Sequence, residues 1–314
     1  MTVQEAAAAI RAGKLVAFPT ETVYGLGANA LDAEAVRRIF EIKGRPATSP
    51  LIVHVATMQM GRDLVRSWPA EADALARQFW PGPLTLVLPK QACIPDIVTA
   101  GLDTVGVRMP AHPLALELLR ESGVPIAAPS ANRFTELSPT TAEHVRQSFG
   151  ARVELILDGG PCAVGIESTV LSLVNGPELL RPGMIARERI ESVIGPVALG
   201  ESDGEGPHAS PGQQPRHYCP RTPMILGNPP ALGRGAYLWI QSSARGAHVS
   251  IRMPSDAAAY AAQLYQTLHE LDRQSLDWIA VEPLPADPAW LAIADRLQRA
   301  AARLGANSPR SASN

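Results

Sequence analysis

Residues 18–55 constrain this chain more than any other stretch. There FPTETVYGLGANAL leads out of a short apolar run into a segment with helical spacing, and KGRPATSPLIVHV follows. Hydroxyls, glycines, two cations and a histidine are thus packed into one strand–loop–helix–strand unit, a layout suited to holding a small anionic molecule. Residues 15–18 read as a strand. Asp32 is placed to cap a helix in which Val36, Ile39 and Phe40 recur at helical spacing, until Gly44 and Pro46 stop it. Lys43 and Arg45 flank that exit, where cations complement a helix dipole in any protein.

The rest of the chain continues the alternation. Nearly continuous apolar runs at 51–55 and 84–88 are expected of strands covered on both faces. Further strands are expected at 104–108, 124–128, 153–157 and 169–174, with helices at 114–121 and 142–149, which makes an α/β domain over 1–199. Residues 200–223 are rich in Gly, Pro, Ser and charge without apolar periodicity, and read as a linker or lid. A second, smaller α/β unit is expected over 224–306, with strands at 235–240, 248–253 and 278–281 and helices at 257–271 and 289–304. The small polar residues 307–314 are expected to form a disordered tail.

Composition narrows the class. With 314 residues, 46% of them hydrophobic, the chain can bury a large core. Lys and Arg number 28 against 30 Asp and Glu, so net charge gives no overall pull toward nucleic acid or an anionic membrane. Cys93, Cys162 and Cys219 are widely spaced and odd in number, which fits a reducing, cytoplasmic setting and neither a disulfide framework nor a zinc site. The sequence shows no signal pattern and no run near the roughly 18 apolar residues of a membrane span, so a soluble protein with no membrane association is expected.

The candidate chemistry recurs at expected strand ends. Thr20, Glu21 and Thr22 follow the first strand, His54 lies in the 51–55 run, and Arg108 closes the 104–108 strand, where its burial would demand an anionic partner. Ser130 and Asn132 follow another strand, and Glu167 and Ser168 open the next. Each has a bland reading alone: turn residues, a core histidine, a capped helix. Together they read as one composite anion site at the carboxyl ends of the strands. Residues 25–30, GLGANA, match the dinucleotide fingerprint loosely, but the spacing is wrong and no acidic residue ends the next strand, so no nicotinamide site is expected. No Walker A sequence occurs. Phosphates would therefore rest on side-chain cations and scattered amides.

With these residues laid out, the chain closely resembles the threonylcarbamoyl-AMP synthase (YrdC-like) family in its long, two-domain form. The resemblance rests on PTETVYGLG, KGRP, PLIVHV, WPGPLTLVL, VGVRMPAHP, APSAN, SPTTAEHV, DGG, GIESTV and LRPG, in that order, then on Ser210-Pro-Gly212 and His217-Tyr218 in the linker. It implies a YrdC-like twisted mixed sheet with flanking helices, followed by a Rossmann-like domain. The implied reaction joins L-threonine, bicarbonate and ATP into threonylcarbamoyl-AMP and pyrophosphate, with Mg2+ carried on the ATP phosphates and no metal site of protein side chains alone. The implied partner is a transferase that moves the threonylcarbamoyl group to adenosine 37 of tRNAs reading codons that begin with A, with weak tRNA binding.

The resemblance also distributes roles. Threonine contacts fall on Thr22, His54, Arg108, Ser168 and the backbone of Ala128. ATP contacts fall on Arg45, Ser49, Thr104, Ser130, Ser138, Arg181 and the linker's Tyr218. Lys43, Arg45, Ser130 and Asn132 match a catalytic tetrad facing the phosphates. The chain departs from the family pattern at Ser49 (usually Asn), at Phe134-Thr135 (usually Ser-Gly), at Ser172 (often Asp) and at Gln213-Gln214-Pro215 after the linker motif. Two rival readings are a double-stranded RNA or tRNA-binding module of the same fold, against which the near-neutral charge speaks, and a carbamoyl transferase of the kind that adds acylphosphatase and zinc-finger regions, neither of which is present.

Overall fold

A computed structural model describes residues 1–200, 217–243 and 246–302. Most of the expected linker, with its Ser210-Pro-Gly212 motif, and the expected tail lie outside the described residues. The elements run α1 (Val3–Arg11), β1 (Val16–Phe18), β2 (Gly25–Asn29), α2 (Ala33–Lys43), β3 (Ile52–His54), α3 (Met58–Asp63), α4 (Ala70–Phe79), β4 (Leu84–Pro89), α5 (Asp96–Thr99), β5 (Thr104–Arg108), α6 (Pro113–Ser122), β6 (Ile126–Ala127) and α7 (Ala142–Phe149). They continue with β7 (Thr169–Ser172), β8 (Glu178–Arg181), α8 (Arg187–Ile194), β9 (Ala198–Leu199), β10 (Met224–Leu226), β11 (Gly235–Trp239), β12 (Val249–Arg252), α9 (Ala257–Asp272), β13 (Trp278–Val281) and α10 (Leu291–Ala301).

Local chemistry sets these boundaries. The Asp32 carboxylate accepts from the Glu34 and Ala35 amides at 3.0 and 3.1 Å, and Gly44 ends α2 in the left-handed region at φ 61°. Thr2 and Glu5 form a reciprocal capping box at the start of α1, a helix the periodicity reading passed over.

The first nine strands form one mixed sheet in the order β1-β2-β6-β3-β5-β4-β7-β8-β9. Alternate residues of β1 serve its two faces: Val16 and Phe18 pack with Ile10, Leu118 and Leu119 beneath α1 and α6, while Ala17 joins Ile39, Leu75, Val53 and Leu86 beneath α2 and α4. The second sheet is parallel, in the order β10-β13-β11-β12, and is covered by α9 and α10. Its apolar cluster, built on Leu238, Ile279, Leu264 and Ile293, also takes in Val23, Leu137, Ile166 and Tyr218 from outside the second sheet. The two sheets are therefore welded by shared core.

Two expectations need correction. GLGAN, residues 25–29, is not a loop but strand β2, antiparallel to β1. Its glycines serve packing: a Cβ on Gly27 would come within 2.7 Å of Ile126 and 2.8 Å of Phe18. The expected strand at 153–157 reduces to a bridge between Ala17 and Ile156, because short β1 already pairs with β2 and offers a single residue on its other edge.

Candidate functional site

One buried pocket gathers most of the expected site residues. Thr20, Thr22, Gly25, Arg45, Ile52, His54, Arg108, Ala128, Ser130, Glu167, Ser168, Arg181, His217 and Tyr218 line it. Its position differs from the expected one beyond a single sheet edge. Arg108 pairs in register with His54 at one end of the strands, whereas Gly25 bridges Ser130 at the other. In a mixed sheet carboxyl ends point both ways, so the lining runs along the sheet face.

Turn chemistry turns Thr22 inward. The Thr20 hydroxyl donates to the Val23 carbonyl at 2.7 Å and accepts from the Thr22 amide at 3.2 Å, bending the chain out of β1. The Arg108 guanidinium, 3% exposed, lies 2.7 Å from the Glu21 carboxylate, whose other oxygen accepts from the Ala111 amide at 3.0 Å. Glu21 is thus the anion that the burial of Arg108 demanded. Beside them, burial and then the Arg108 charge push the His54 imidazole down to about 3, so it stays neutral near pH 7.

At the other end stand more cations. Arg45 donates to the Ser49 hydroxyl at 2.5 Å and to the Pro50 carbonyl at 3.1 Å, and burial pushes its guanidinium down to about 10. Arg181 does not stand with Arg45: along the sheet it shares the strand row of Arg108 and His54 through Val170 and Thr85, and it donates to the Ser168 carbonyl and hydroxyl at 3.1 and 3.0 Å. Burial and the neighbouring Arg45 hold the Lys43 ammonium well below its ordinary value. Lys43 does not line the pocket. It donates to the Ser130 carbonyl at 2.7 Å and to the Asn132 carbonyl, and so braces the loop that presents Ser130. Asn132 braces the same loop through the Arg133 and Glu136 carbonyls at 2.8 and 2.9 Å. Ser138 lies behind the lining, bonded to Glu167. Thr104 stands apart, at the start of β5, about 13 Å of extended chain from Arg108.

His217 and Tyr218 cover this face. Tyr218 is 1% exposed and takes φ 62°, a left-handed conformation that costs a bulky residue energy and fixes its ring direction. His217 packs edge-on against Phe134 at 6.1 Å, so the departure from the family at Phe134 becomes a seat for the cover. Among the described residues neither the Tyr218 hydroxyl nor His217 Nδ1 finds a hydrogen-bond partner, although both are buried. Such orphaned atoms are uncommon outside ligand sites.

Residues 8–183 match the family model of Sua5, YciO and YrdC proteins, described as "Telomere recombination", and residues 185–302 match that of the "Threonylcarbamoyl-AMP synthase, C-terminal domain". The chain belongs to the threonylcarbamoyl-AMP synthase family. It is 45% identical to the threonylcarbamoyl-AMP synthase of Bacillus subtilis, with 95% of this chain and 92% of the relative covered. The corresponding protein of Pyrococcus abyssi is 44% identical over 94% of this chain and 92% of its own length. The crystal structure of P. abyssi Sua5 complexed with L-threonine superimposes with a TM-score of 0.90 at 42% identity, covering 95% of this chain and 94% of that one. Escherichia coli YciO, at 24% identity and a TM-score of 0.52, shares the fold over 58% of this chain and 88% of its own.

The motif reading named neither Arg296 nor Tyr265, which reach Glu167 from α10 and α9. A signal was present: Ala292, Arg296 and Ala300 share the buried stripe of α10, and a cation on an apolar stripe calls for an anion opposite.

Proposed function

We propose that this chain is a threonylcarbamoyl-AMP synthase, condensing L-threonine, bicarbonate and ATP into threonylcarbamoyl-adenylate with release of pyrophosphate and water. The observation that carries the reading is a pocket of buried residues with cations at both ends, Arg108 and Arg181 in the strand row of neutral His54 and Arg45 at the other. One end suits an amino acid and the other a polyphosphate.

In this reading the Arg108 guanidinium pairs with the threonine carboxylate, while Thr22, His54, Ser168 and the Ala128 backbone orient the amine and hydroxyl. The amine lone pair attacks the carbon of carbon dioxide drawn from bicarbonate, and loss of a proton leaves a carbamate. A carbamate oxygen then attacks the α-phosphorus in line; the new O–P bond forms as the bond to pyrophosphate breaks, and the electron pair leaves with pyrophosphate. Arg45, Arg181 and Ser130 would hold the nucleotide, with Ser49 seating Arg45, Ser138 seating Glu167, and Lys43 and Asn132 fixing the Ser130 loop. Positioning and charge neutralisation supply most of the acceleration. Tyr218 would exclude water from the labile mixed anhydride.

Magnesium would travel on the ATP phosphates, because the carboxylate that lines the pocket, Glu167, faces Arg296, and Glu21 beside the lining faces Arg108. The product would pass, in the cytoplasm, to a transferase acting on adenosine 37 of tRNA. No described helix is long and apolar enough to cross a membrane. The test is pyrophosphate release from ATP and magnesium with threonine and bicarbonate omitted in turn and serine as control. Release that needs both is expected; release indifferent to threonine would refute the reading.

A further inference from the structure

Arg296 is an expensive residue to bury. Its side chain is 1% exposed between the two sheets, where an apolar residue would seal the joint at lower desolvation cost. What it touches is the wall of the pocket. Its Nε lies 3.1 Å from the Glu167 carboxylate, its Nη2 lies 3.4 Å from the Glu167 carbonyl, and its Nη1 donates to the Pro182 carbonyl at 2.7 Å, next to Arg181. The guanidinium carbon sits over the Tyr218 ring at 5.4 Å. Asp295 at 2.9 Å balances its remaining charge. The Tyr265 hydroxyl, from α9, reaches the same Glu167 carboxylate at 3.2 Å, and the Ser138 hydroxyl reaches it at 2.5 Å.

Glu167 therefore lines the pocket with a carboxylate held by Ser138 and, from the second sheet's helices, by Arg296 and Tyr265. Without them its charge would turn on the cations proposed to take the nucleotide, among them Arg181, which holds Ser168 next to Glu167. We propose that Arg296 and Tyr265 are positioning residues for the synthase reaction, clamping Glu167 away from Arg181 and Arg45 so that these engage ATP, and seating the Tyr218 ring over it. The C-terminal domain then belongs to the nucleotide half of the site. This inference rests on the proposed synthase activity.

The test uses the full chain with Arg296→Met, Arg296→Lys, Arg296→Met/Glu167→Gln and Tyr265→Phe, titrated calorimetrically with ATP and magnesium and, separately, with L-threonine. Arg296→Met should weaken ATP by at least about tenfold and threonine by less than about threefold, because a stranded carboxylate repels a polyphosphate, whereas threonine is a zwitterion whose ammonium offsets its carboxylate. Removing both charges should recover most of the ATP affinity, with Lys intermediate. ATP affinity unchanged in Arg296→Met, equal weakening of both ligands, or a double variant no better than the single one would each overturn the proposal. Should Arg296→Met fail to fold by near-ultraviolet dichroism, Tyr265→Phe decides: a selective loss in ATP affinity supports the clamp, and no change refutes it. Wild-type protein that binds neither ligand removes the synthase reading and this proposal with it; wild type that binds both, matched by its variants, removes this proposal alone.

Discussion

Replacing Arg45 with Met should make the folded chain more stable while taking at least about two powers of ten from turnover. Burial holds the Arg45 guanidinium at about 10, two to three powers of ten below its ordinary value, even with its bonds to Ser49 and Pro50 in place. At about 1.4 kcal/mol per power of ten, the charged side chain costs the fold about 3 kcal/mol. Met keeps most of the apolar stem and deletes the charge. Against that gain stand the Ser49 hydroxyl and Pro50 carbonyl, which lose a donor at about 1–2 kcal/mol together. The balance is a gain of about 1–2 kcal/mol, read as a higher urea midpoint by tryptophan fluorescence, with pyrophosphate release measured on the same samples. A Met variant less stable by more than about 1 kcal/mol would show that the hydrogen bonds outweigh the burial cost of the charge. Turnover within about tenfold of the original would show that Arg45 does not hold the reacting phosphates.

Two other outcomes follow from the same structure. Burial pushes His54 down to about 3 and His269 to about 4, so the folded chain keeps both neutral while the unfolded chain takes up protons near pH 6.5. Stability should therefore be full above about pH 6.5 and fall as pH drops toward 4, by about 1.4 kcal/mol per pH unit for each histidine, checked by urea midpoints at pH 7.5 and 5. Thr135 takes φ 68°, where a β-branched residue is strained and where the family pattern carries glycine; Thr135→Gly should stabilise by about 1 kcal/mol, read as a rise in Tm, and a fall would refute the strain.

The parts of the fold legible in the sequence were those with local causes. Asp32 and Gly44 bracket α2 through hydrogen bonds and a left-handed φ that the residue types announce. Strands β3 and β4 declare themselves as apolar runs. Strand β2 does not, because its glycines answer to Phe18 and Ile126 across the sheet, and such partners have no local signature. The 153–157 run has strand composition, yet its partner edge is too short to pair with it.

The site divides along the same line. Arg108 implied a buried anion, but nothing nearby in sequence distinguished Glu21 from other acids until the turn at Thr20 brought it to 2.7 Å. The sequence pattern around Lys43 does not announce its two backbone carbonyl partners, Ser130 and Asn132, which lie 87 and 89 positions away. Arg296 lies 129 positions from Glu167, so only the docking of two sheets reveals the pair.

The most direct test is the mass of the product formed from L-threonine, ATP and 13C-labelled bicarbonate, sampled within seconds of mixing. A species carrying one threonine, one labelled carbonyl and one AMP is predicted, formed in step with pyrophosphate. Pyrophosphate accompanied by AMP alone, or by an adenylate without the label, would contradict the synthase assignment.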